Sequence, residues 1–432
     1  MHFPQAPTAM RIRGNGVFGS EEETVQSSFT VVRQVHGVWF LIQGSALAGI
    51  ADRNTLRLEG KLDDGRAVSC DSMFMTENRY GFAESPKPGT GGYGTILYAN
   101  GPVYIGSRTG ESPTKVAFPL VGHFEGGANL VHNGLNVSIT HDEPEADKQA
   151  KRSSRVWELP TEGMRLTLQQ EGMTLEEYQS RARQITILLS LADGTGVTWY
   201  RQLISWPKKG KQEIWGQWVG DDLGPGSCVA AFDIQPFLSQ CIPAWDKWPE
   251  QKRHLARIAI GYINLTAHPY LDTRLLSMAQ AWEMLANSWV PDPQQSEEEA
   301  RLEALVKSAY KDWRKAHQGL DPNGSMMDRL SRWLRRSPAL RKMSSLAGNL
   351  DLSKINLDLS ELNRARNSVA HYGTLPRDLL VDIHTALDLL QAARFGLQLV
   401  LLRELGYSGR VQTATPNKER TFLPIGDFLL QD

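Results

Sequence analysis

The side chains best suited to chemistry lie in residues 363–373, which read Asn-Arg-Ala-Arg-Asn-Ser-Val-Ala-His-Tyr-Gly. On a helix, Asn367 and His371 are i,i+4 neighbours, and Arg364 and His371 are i,i+7 neighbours, so these three side chains share one face. Arg366 lies about 140° around the helix from His371, at 100° per residue. We therefore expect Arg366 to reach the same ligand from the flank or from the other subunit of a dimer.

These residue types fit phosphodiester chemistry. An arginine presents a permanently charged fork of donors to a phosphate, and a histidine gains or loses a proton near neutral pH. An asparagine can orient the ring or the ligand through hydrogen bonds. Since RNA brings its own 2′-hydroxyl nucleophile, such a site needs acid–base help and charge stabilisation but no metal. Gly373 is placed to end the helix. The alternative is a solvated helix end, because basic residues near a C-terminus also suit the helix dipole.

Other residues are candidates for supporting roles. Arg329, Arg332 and Arg336 are spaced i, i+3, i+7 and so share one helix face, which suits an RNA backbone track or, alternatively, a solvated surface. Glu283 stands among apolar residues in mid-helix and can pair with Arg366 or with another site residue, or lie on the surface.

Neither a metal nor a cofactor is expected. The glycine cluster 89–94 lacks the Lys-Ser/Thr of a phosphate loop, and no helix pattern follows it. His123, His132 and His141 are not joined by a cysteine or carboxylate pattern, which argues against a zinc site.

The chain changes texture near residue 245. Residues 1–245 are expected to form a β-rich domain of a sandwich or barrel-like sheet, with a polar linker near 141–155 as a sub-boundary. Hairpin turns are predicted at Asp63-Asp64-Gly65 and Asn100-Gly101. A capping box formed by Thr174 and Glu177 predicts the start of one helix in this half.

Residues 246–410 are expected to form an α-helical bundle, and residues 411–432 a mixed tail in which 421–425 can dock as a short extended piece. The apolar spacing predicts helices over 250–266, 271–289, 296–317, 328–336, 358–372 and 377–405. The predicted fold class is therefore α+β, with a β-rich domain preceding an all-α domain.

The overall composition excludes several classes. The 432 residues carry 47 Lys+Arg and 48 Asp+Glu, a net charge of −1, which excludes a protein coated in charge for indiscriminate nucleic-acid binding. Residues 246–410 hold 23 Lys+Arg and 19 Asp+Glu, leaving 24 and 29 for the remainder, so the helical part is slightly basic (+4) and the rest acidic (−5). No apolar window long enough for a membrane span, no signal peptide and no CxxC pair is seen, so a reduced, cytoplasmic protein is expected.

Arg366-Asn367-x-x-x-His371 resembles the R-x4-6-H motif of the HEPN superfamily, and it stands, as in that family, in a late helix of a helical domain with one long helix after it. Residues 275–286 and 188–194 resemble segments of ApeA-like HEPN proteins, an anti-phage family with a similar β-then-HEPN layout.

The resemblance implies a metal-independent endoribonuclease that is a homodimer with a composite cleft. Arg366 would bind the scissile phosphate, His371 would act in proton transfer or phosphate positioning, and Asn367 would support them. Asn363, Glu283 and Tyr372 would be supporting residues, whereas Arg364 and the basic run would contact RNA.

Cleavage of RNA, such as tRNA or another structured RNA, would leave a 2′,3′-cyclic phosphate. In ApeA-like systems such activity shuts down an infected cell, with the N-terminal domain sensing a phage protein or other trigger. The alternatives are a non-catalytic HEPN-type module that binds RNA, nucleotide or protein, and a scaffold in which Arg366 and His371 merely finish a helix.

Overall fold

The computed structural model describes residues 11–19, 23–34, 37–43, 56–75, 80–82, 92–107, 112–121, 126–141, 164–194, 196–199, 201–215, 229, 233–264, 270–291, 297–317, 326, 338–412 and 421–430. Apart from residue 141, the linker expected at 141–155 lies outside these residues, and so do the helix expected over 328–336 and His123.

The chain divides into two compact units. We call them the β unit, Met1–Ser227 with Ala231–Ile242, and the helical unit, Cys228–Ala230 with Pro243–Asp432. A β-rich region is thus followed by a helical one, which confirms the predicted α+β class. The division falls inside a helix at Pro243, a residue that lacks a backbone N–H donor.

The β unit contains fifteen strands in its described residues: β1 (Arg11–Gly19), β2 (Thr24–Gln34), β3 (Gly37–Gln43), β4 (Leu56–Leu62), β5 (Ala67–Met75), β6 (Tyr80–Phe82), β7 (Gly92–Ala99), β8 (Val103–Gly106), β9 (Lys115–Val121), β10 (Ala128–His132), β11 (Leu135–His141), β12 (Met164–Gln169), β13 (Thr198–Trp199), β14 (Arg201–Ser205) and β15 (Lys211–Trp215). The antiparallel order β4-β1-β2-β3-β7-β5 closes into a six-stranded barrel because β5 also pairs with β4.

Alternating side chains fill the barrel. Phe18, Phe29 and Phe40, on three successive strands, point inward, and their rings meet edge to face with centroids 5.7 Å apart at each step. At Gly16 a Cβ atom would lie 2.7 Å from Leu58 Cδ1, so only glycine fits at this crowded crossing. A closed barrel with an aromatic interior follows from this pattern.

The sheet continues beyond the barrel. Strand β5 pairs with β7 through Met73 and with β8 through Cys70, on the same edge, and the sheet then runs β8-β15-β14-β9-β12-β11-β10. The turn at Asp63-Asp64-Gly65 does join a β4–β5 hairpin, with Gly65 at φ 86°. The hairpin predicted at Asn100-Gly101 is wrong, because β7 and β8 lie end to end along β5 instead of pairing with each other.

Helix α1 (Leu175–Asp193) packs on β9 and β12. The predicted capping box is present, since Thr174 Oγ1 accepts from Glu177 N at 3.2 Å and Glu177 Oε2 accepts from Thr174 N at 2.7 Å. Gly194 ends the helix in the left-handed conformation.

The described residues of the helical unit form α2 (Ile234–Lys247, shared with the β unit), α3 (Glu250–Asn264), α4 (Leu271–Trp289), α5 (Glu297–Ala316), α6 (Pro338–Ala347), α7 (Leu359–Tyr372), α8 (Arg377–Val381), α9 (Ile383–Glu404), β16 (Arg410–Gln412) and β17 (Phe422–Pro424). Helix α4 lies at the centre, in contact with α3, α6, α7 and α9. Three expectations differ from this result: helices begin at Ile234, before residue 249; α6 was not predicted; and the helix expected over 377–405 is two helices.

The break between α8 and α9 has a local cause. Asp382 leaves the helical conformation, with φ −113° and ψ 87°, and its side chain accepts from the backbone N–H groups of His384 and Thr385. It therefore acts as the N-cap of α9. The tail docks as well: β17 pairs with β16, and Leu429 bridges to Leu350.

Helix α9 is the one described helix that is long and apolar enough to cross a membrane by length and composition. Its apolar window is 78% buried within the protein, as in the core helix of a water-soluble unit, which passes the same test.

Candidate active site

Helix α7 carries the Arg–His motif and has well-defined ends. The Asp358 carboxylate accepts from the backbone N–H groups of Ser360 at 2.8 Å and Glu361 at 3.2 Å, which caps the first turn. The Ser360 hydroxyl also donates to this carboxylate, and these hydrogen bonds hold the pKa of Asp358 below its ordinary value. Gly373 adopts φ 71° and its N–H bonds to Val369 O at 2.9 Å, so the helix ends where the sequence predicted.

The buried side of α7 determines where its polar side chains lie. Leu359, Leu362 and Ala365 are buried and recur at helical spacing. They lie on the side on which α7 packs against α4, and Trp282 of α4 is anchored there by an indole N–H that donates to Ala393 O at 2.8 Å. Arg366 follows the buried Ala365 directly, so it leaves the helix at the margin of the α4 contact.

Arg366 is held by two partners. Its Nη2 is 2.9 Å from Glu283 Oε2 on α4, and its Nη1 donates to Asn367 Oδ1 at 2.9 Å. The Arg366 side chain is 31% exposed and that of Glu283 is 21% exposed. Of the two pairings open to Glu283 from its sequence position, the one with Arg366 is present. A guanidinium has five N–H groups, so an arginine oriented in this way still has donors for a phosphate.

Arg364 has different partners from Arg366. Its Nε donates to Glu361 Oε2 at 2.8 Å, and its Nη1 donates to Asp378 Oδ1, on α8, at 3.0 Å. The hydrogen bonds from Arg364 hold the pKa of Asp378 below its ordinary value, and the same contacts raise the pKa of Arg364. Arg364 thus ties α7 to α8 and is doubly neutralised, so an RNA contact, the role expected of it, competes with two carboxylates.

The end of α7 is open to solvent. His371 is exposed, and Tyr372, with 80% of its surface accessible, lies with its ring centroid 6.4 Å from that of His371. Within the described part of the chain, no hydrogen bond or ion pair holds the His371 ring. Asn367 is half-buried beside Arg366, and Asn363 is half-buried one turn earlier. The helical backbone thus keeps Asn367 and His371 on one face, while Arg366 turns toward α4.

Sequence reasoning missed Asp378 and Asp358. Asp358 carried a signal, an aspartate directly before an apolar helix start, which is typical of an N-cap. Asp378 carried none, because its contact with Arg364 depends on how the turn after Gly373 folds back. Arg329, Arg332 and Arg336 lie outside the described residues.

Groups for other chemistries are sparse where the structure describes the chain. No three His, Cys, Asp or Glu side chains in that part are arranged to share a metal ion. The thiols of Cys70 and Cys241 are buried, and burial raises the pKa of both, that of Cys70 to about 11, so they are inert toward ionisation near neutral pH.

The arrangement as a whole combines an oriented cation, a supporting amide and an accessible imidazole on one helix. Such a set can bind a phosphodiester and move a proton. No family model, curated protein or solved structure matches the chain.

Proposed function

We propose that the helical unit is a metal-independent endoribonuclease of the HEPN type, acting as a homodimer. The observation that carries this proposal is the Arg366 guanidinium, oriented by Glu283 and Asn367, on the same short helix as the accessible His371. The resemblance of Arg366-Asn367-x-x-x-His371 to the HEPN motif supports it independently.

The reaction uses the RNA 2′-hydroxyl as nucleophile. The 2′-oxygen forms a bond to phosphorus as the bond from phosphorus to the 5′-oxygen breaks, which leaves a 2′,3′-cyclic phosphate and a 5′-hydroxyl. Arg366 stabilises the charge that grows on the non-bridging oxygens, and His371 takes up the 2′-proton or supplies the proton that the 5′-oxygen needs.

A dimer suits this chemistry because of the geometry of α7. Since Arg366 and His371 are about 140° apart on the helix, one chain does not direct both at a single point. Two-fold packing of α7 against its copy brings the Arg366 of one subunit toward the His371 of the other. The segment after α7 also exposes apolar side chains suited to such packing: Tyr372, Leu380, Val381 and Ile383.

The biological role we propose is that of a toxin in bacterial anti-phage defence, acting in the cytoplasm. It follows from the resemblance to ApeA-like proteins, in which a β-rich region precedes the HEPN domain. The β unit would then detect the trigger, for instance a phage protein, and the helical unit would cleave RNA.

The test is cleavage of a structured RNA by purified full-length protein in the presence of a chelator. We expect products with 2′,3′-cyclic phosphate ends, and we expect Arg366→Ala and His371→Ala each to abolish them. Arg257→Ala and His254→Ala, at exposed positions on α3, are matched controls that should cleave normally. Full cleavage by both motif variants would contradict the proposal, whereas RNA binding without cleavage by the unaltered protein would favour the non-catalytic alternative.

A further inference from the structure

Helix α5 carries an aromatic stack that the proposed active site does not use. The ring centroids of Tyr310 and Trp313 are 5.9 Å apart with planes inclined by 28°, and those of Trp313 and His317 are 5.2 Å apart with planes inclined by 19°. Spacings of three and four residues place these rings above one another along a single face. The result is a short ladder of nearly parallel rings, half-buried at Tyr310 and Trp313 and exposed at His317.

The same half of α5 is basic. Residues 307–317 contain Lys307, Lys311, Arg314 and Lys315 against Asp312 alone. Within the described residues, no carboxylate lies at ion-pair distance from Lys311. The Lys315–Asp312 pair is 3.8 Å long with both side chains at least 70% exposed, so it is weak and easily exchanged for another anion.

Aromatic rings and cations alternating on one surface match the chemistry of a single-stranded nucleic acid. Every base has a flat face that stacks on an aromatic ring whatever its sequence, and the phosphates that join the bases attract lysine and arginine. A docking protein would instead favour an uncharged apolar stripe rimmed by charges of both signs. The excess of positive charge beside the rings therefore selects the occupant.

We propose that the C-terminal half of α5 is a docking platform for single-stranded RNA. Bases continue the stack on the exposed side of Trp313 and His317, while Lys311, Arg314 and Lys315 contact the backbone. The choice of RNA over DNA as ligand rests on the proposed nuclease function. The platform itself rests on the geometry and charge of α5.

The experiment measures binding of a short, unstructured, fluorescein-labelled RNA by anisotropy, using full-length protein that carries Arg366→Ala so that nothing is cleaved. Trp313→Ala should weaken binding roughly 5- to 150-fold, the range for losing one stacked base. Trp313→Phe preserves a flat ring and should restore most of the affinity. Tyr270→Ala, at an exposed aromatic residue on another helix, is the control and should bind normally.

A second strand, identical but with abasic sites in its centre, separates stacking from attraction of the backbone. The unaltered platform should prefer the strand with bases, and Trp313→Ala should erase that preference. Lys311→Gln should lower the slope of log affinity against log salt by about 0.7, the value for one single-strand phosphate contact, whereas Arg257→Gln should not.

Equal affinity of Trp313→Ala and its parent for the intact strand, or an equal loss for both strands, would overturn the platform. Because this assay is independent of cleavage, the two proposals fail separately. Stacking-dependent binding by a protein that never cleaves RNA would refute the nuclease alone, whereas cleavage that is insensitive to Trp313 together with unchanged binding would refute the platform alone.

Discussion

Replacing Glu283 by glutamine should make RNA bind more tightly and react more slowly. Glu283 contributes the Oε2 atom that lies 2.9 Å from Arg366 Nη2, so it both orients the guanidinium and opposes the approach of a phosphate. Glutamine keeps an oxygen acceptor at nearly the same place but removes the negative charge. The two effects of the carboxylate can therefore be separated by one substitution.

The cost in stability follows from the exposure of the pair. With side chains 31% and 21% exposed, the ion pair lies between a surface pair, which contributes about 0–1 kcal/mol, and a buried pair, whose disruption costs about 3–5 kcal/mol. We expect Glu283→Gln to destabilise the helical unit by about 1–2 kcal/mol. Glu361→Gln is a matched control, because Arg364 keeps Asp378 as a second partner, so its cost should stay below about 1 kcal/mol.

The effect on RNA follows from Coulomb's law. A phosphate bound to the far side of Arg366 would lie roughly 7 Å from the Glu283 carboxylate, and at an effective dielectric constant of about 50 their repulsion is about 1 kcal/mol. Loss of that repulsion should lower Kd about fivefold. A guanidinium with one firm anchor fewer is less well oriented, and turnover should fall about tenfold.

The assay combines single-turnover cleavage of a labelled RNA with its binding to the same variants in an Arg366-intact protein at a temperature where cleavage is slow. Stability is read from urea denaturation, and a double-mutant cycle with Arg366→Met isolates the coupling between the two side chains. The predicted signature is a fall in rate together with a fall in Kd. If both rate and affinity fell, or if neither changed, Glu283 would not be positioning Arg366 and the description of the site would be wrong.

Two further predictions concern the framework of α7. Asp358→Ala should cost about 0.5–2 kcal/mol by removing the N-cap; because the pKa of Asp358 lies below its ordinary value of 3.8 in the folded protein, this stabilisation is present above that value and is lost as the pH falls through the folded pKa, so urea midpoints of the two proteins should differ at neutral pH and converge near pH 2. Gly396→Ala should destabilise by about 1–3 kcal/mol, since its Cβ would lie 2.9 Å from Leu357 Cδ2 and 3.2 Å from Trp282 Cζ2, whereas Gly261→Ala, with open space around it in α3, should stabilise by up to about 1 kcal/mol by thermal denaturation. An unchanged urea midpoint in the first case, or equal shifts for the two glycines, would contradict the respective argument.

Local sequence signals predicted the elements that carry the motif. The predicted helix over 271–289 has those bounds in the structure, because its apolar stripe is long and regular. Helix α7 begins after Asp358 and ends at Gly373 because a cap and a left-handed glycine terminate a helix whatever surrounds it. The capping box at Thr174 is equally local.

Features set by distant partners were not predictable. Asn100-Gly101 is a good hairpin signal, yet here the chain passes from the barrel to the extended sheet, because β5 offers one edge to both β7 and β8. Asp382 interrupts an apolar stripe that reads as one helix, because the side chain of a single aspartate competes for the backbone donors of the next turn. The partners of Arg364 and Arg366 come from residues 14 and 83 positions away.

The two motif arginines differ in how much charge they retain, and this difference bears on which of them meets the substrate. Arg364 is matched by two carboxylates, Glu361 and Asp378, so that cluster carries a net charge of −1. Arg366 is matched by Glu283 alone, and its second hydrogen bond goes to the neutral amide of Asn367. A phosphate approaching α7 is therefore repelled at Arg364 and met by an overall neutral, donor-rich group at Arg366. Charge reversal at Asp378, which would release Arg364, should consequently strengthen RNA binding without restoring cleavage to an Arg366→Ala protein.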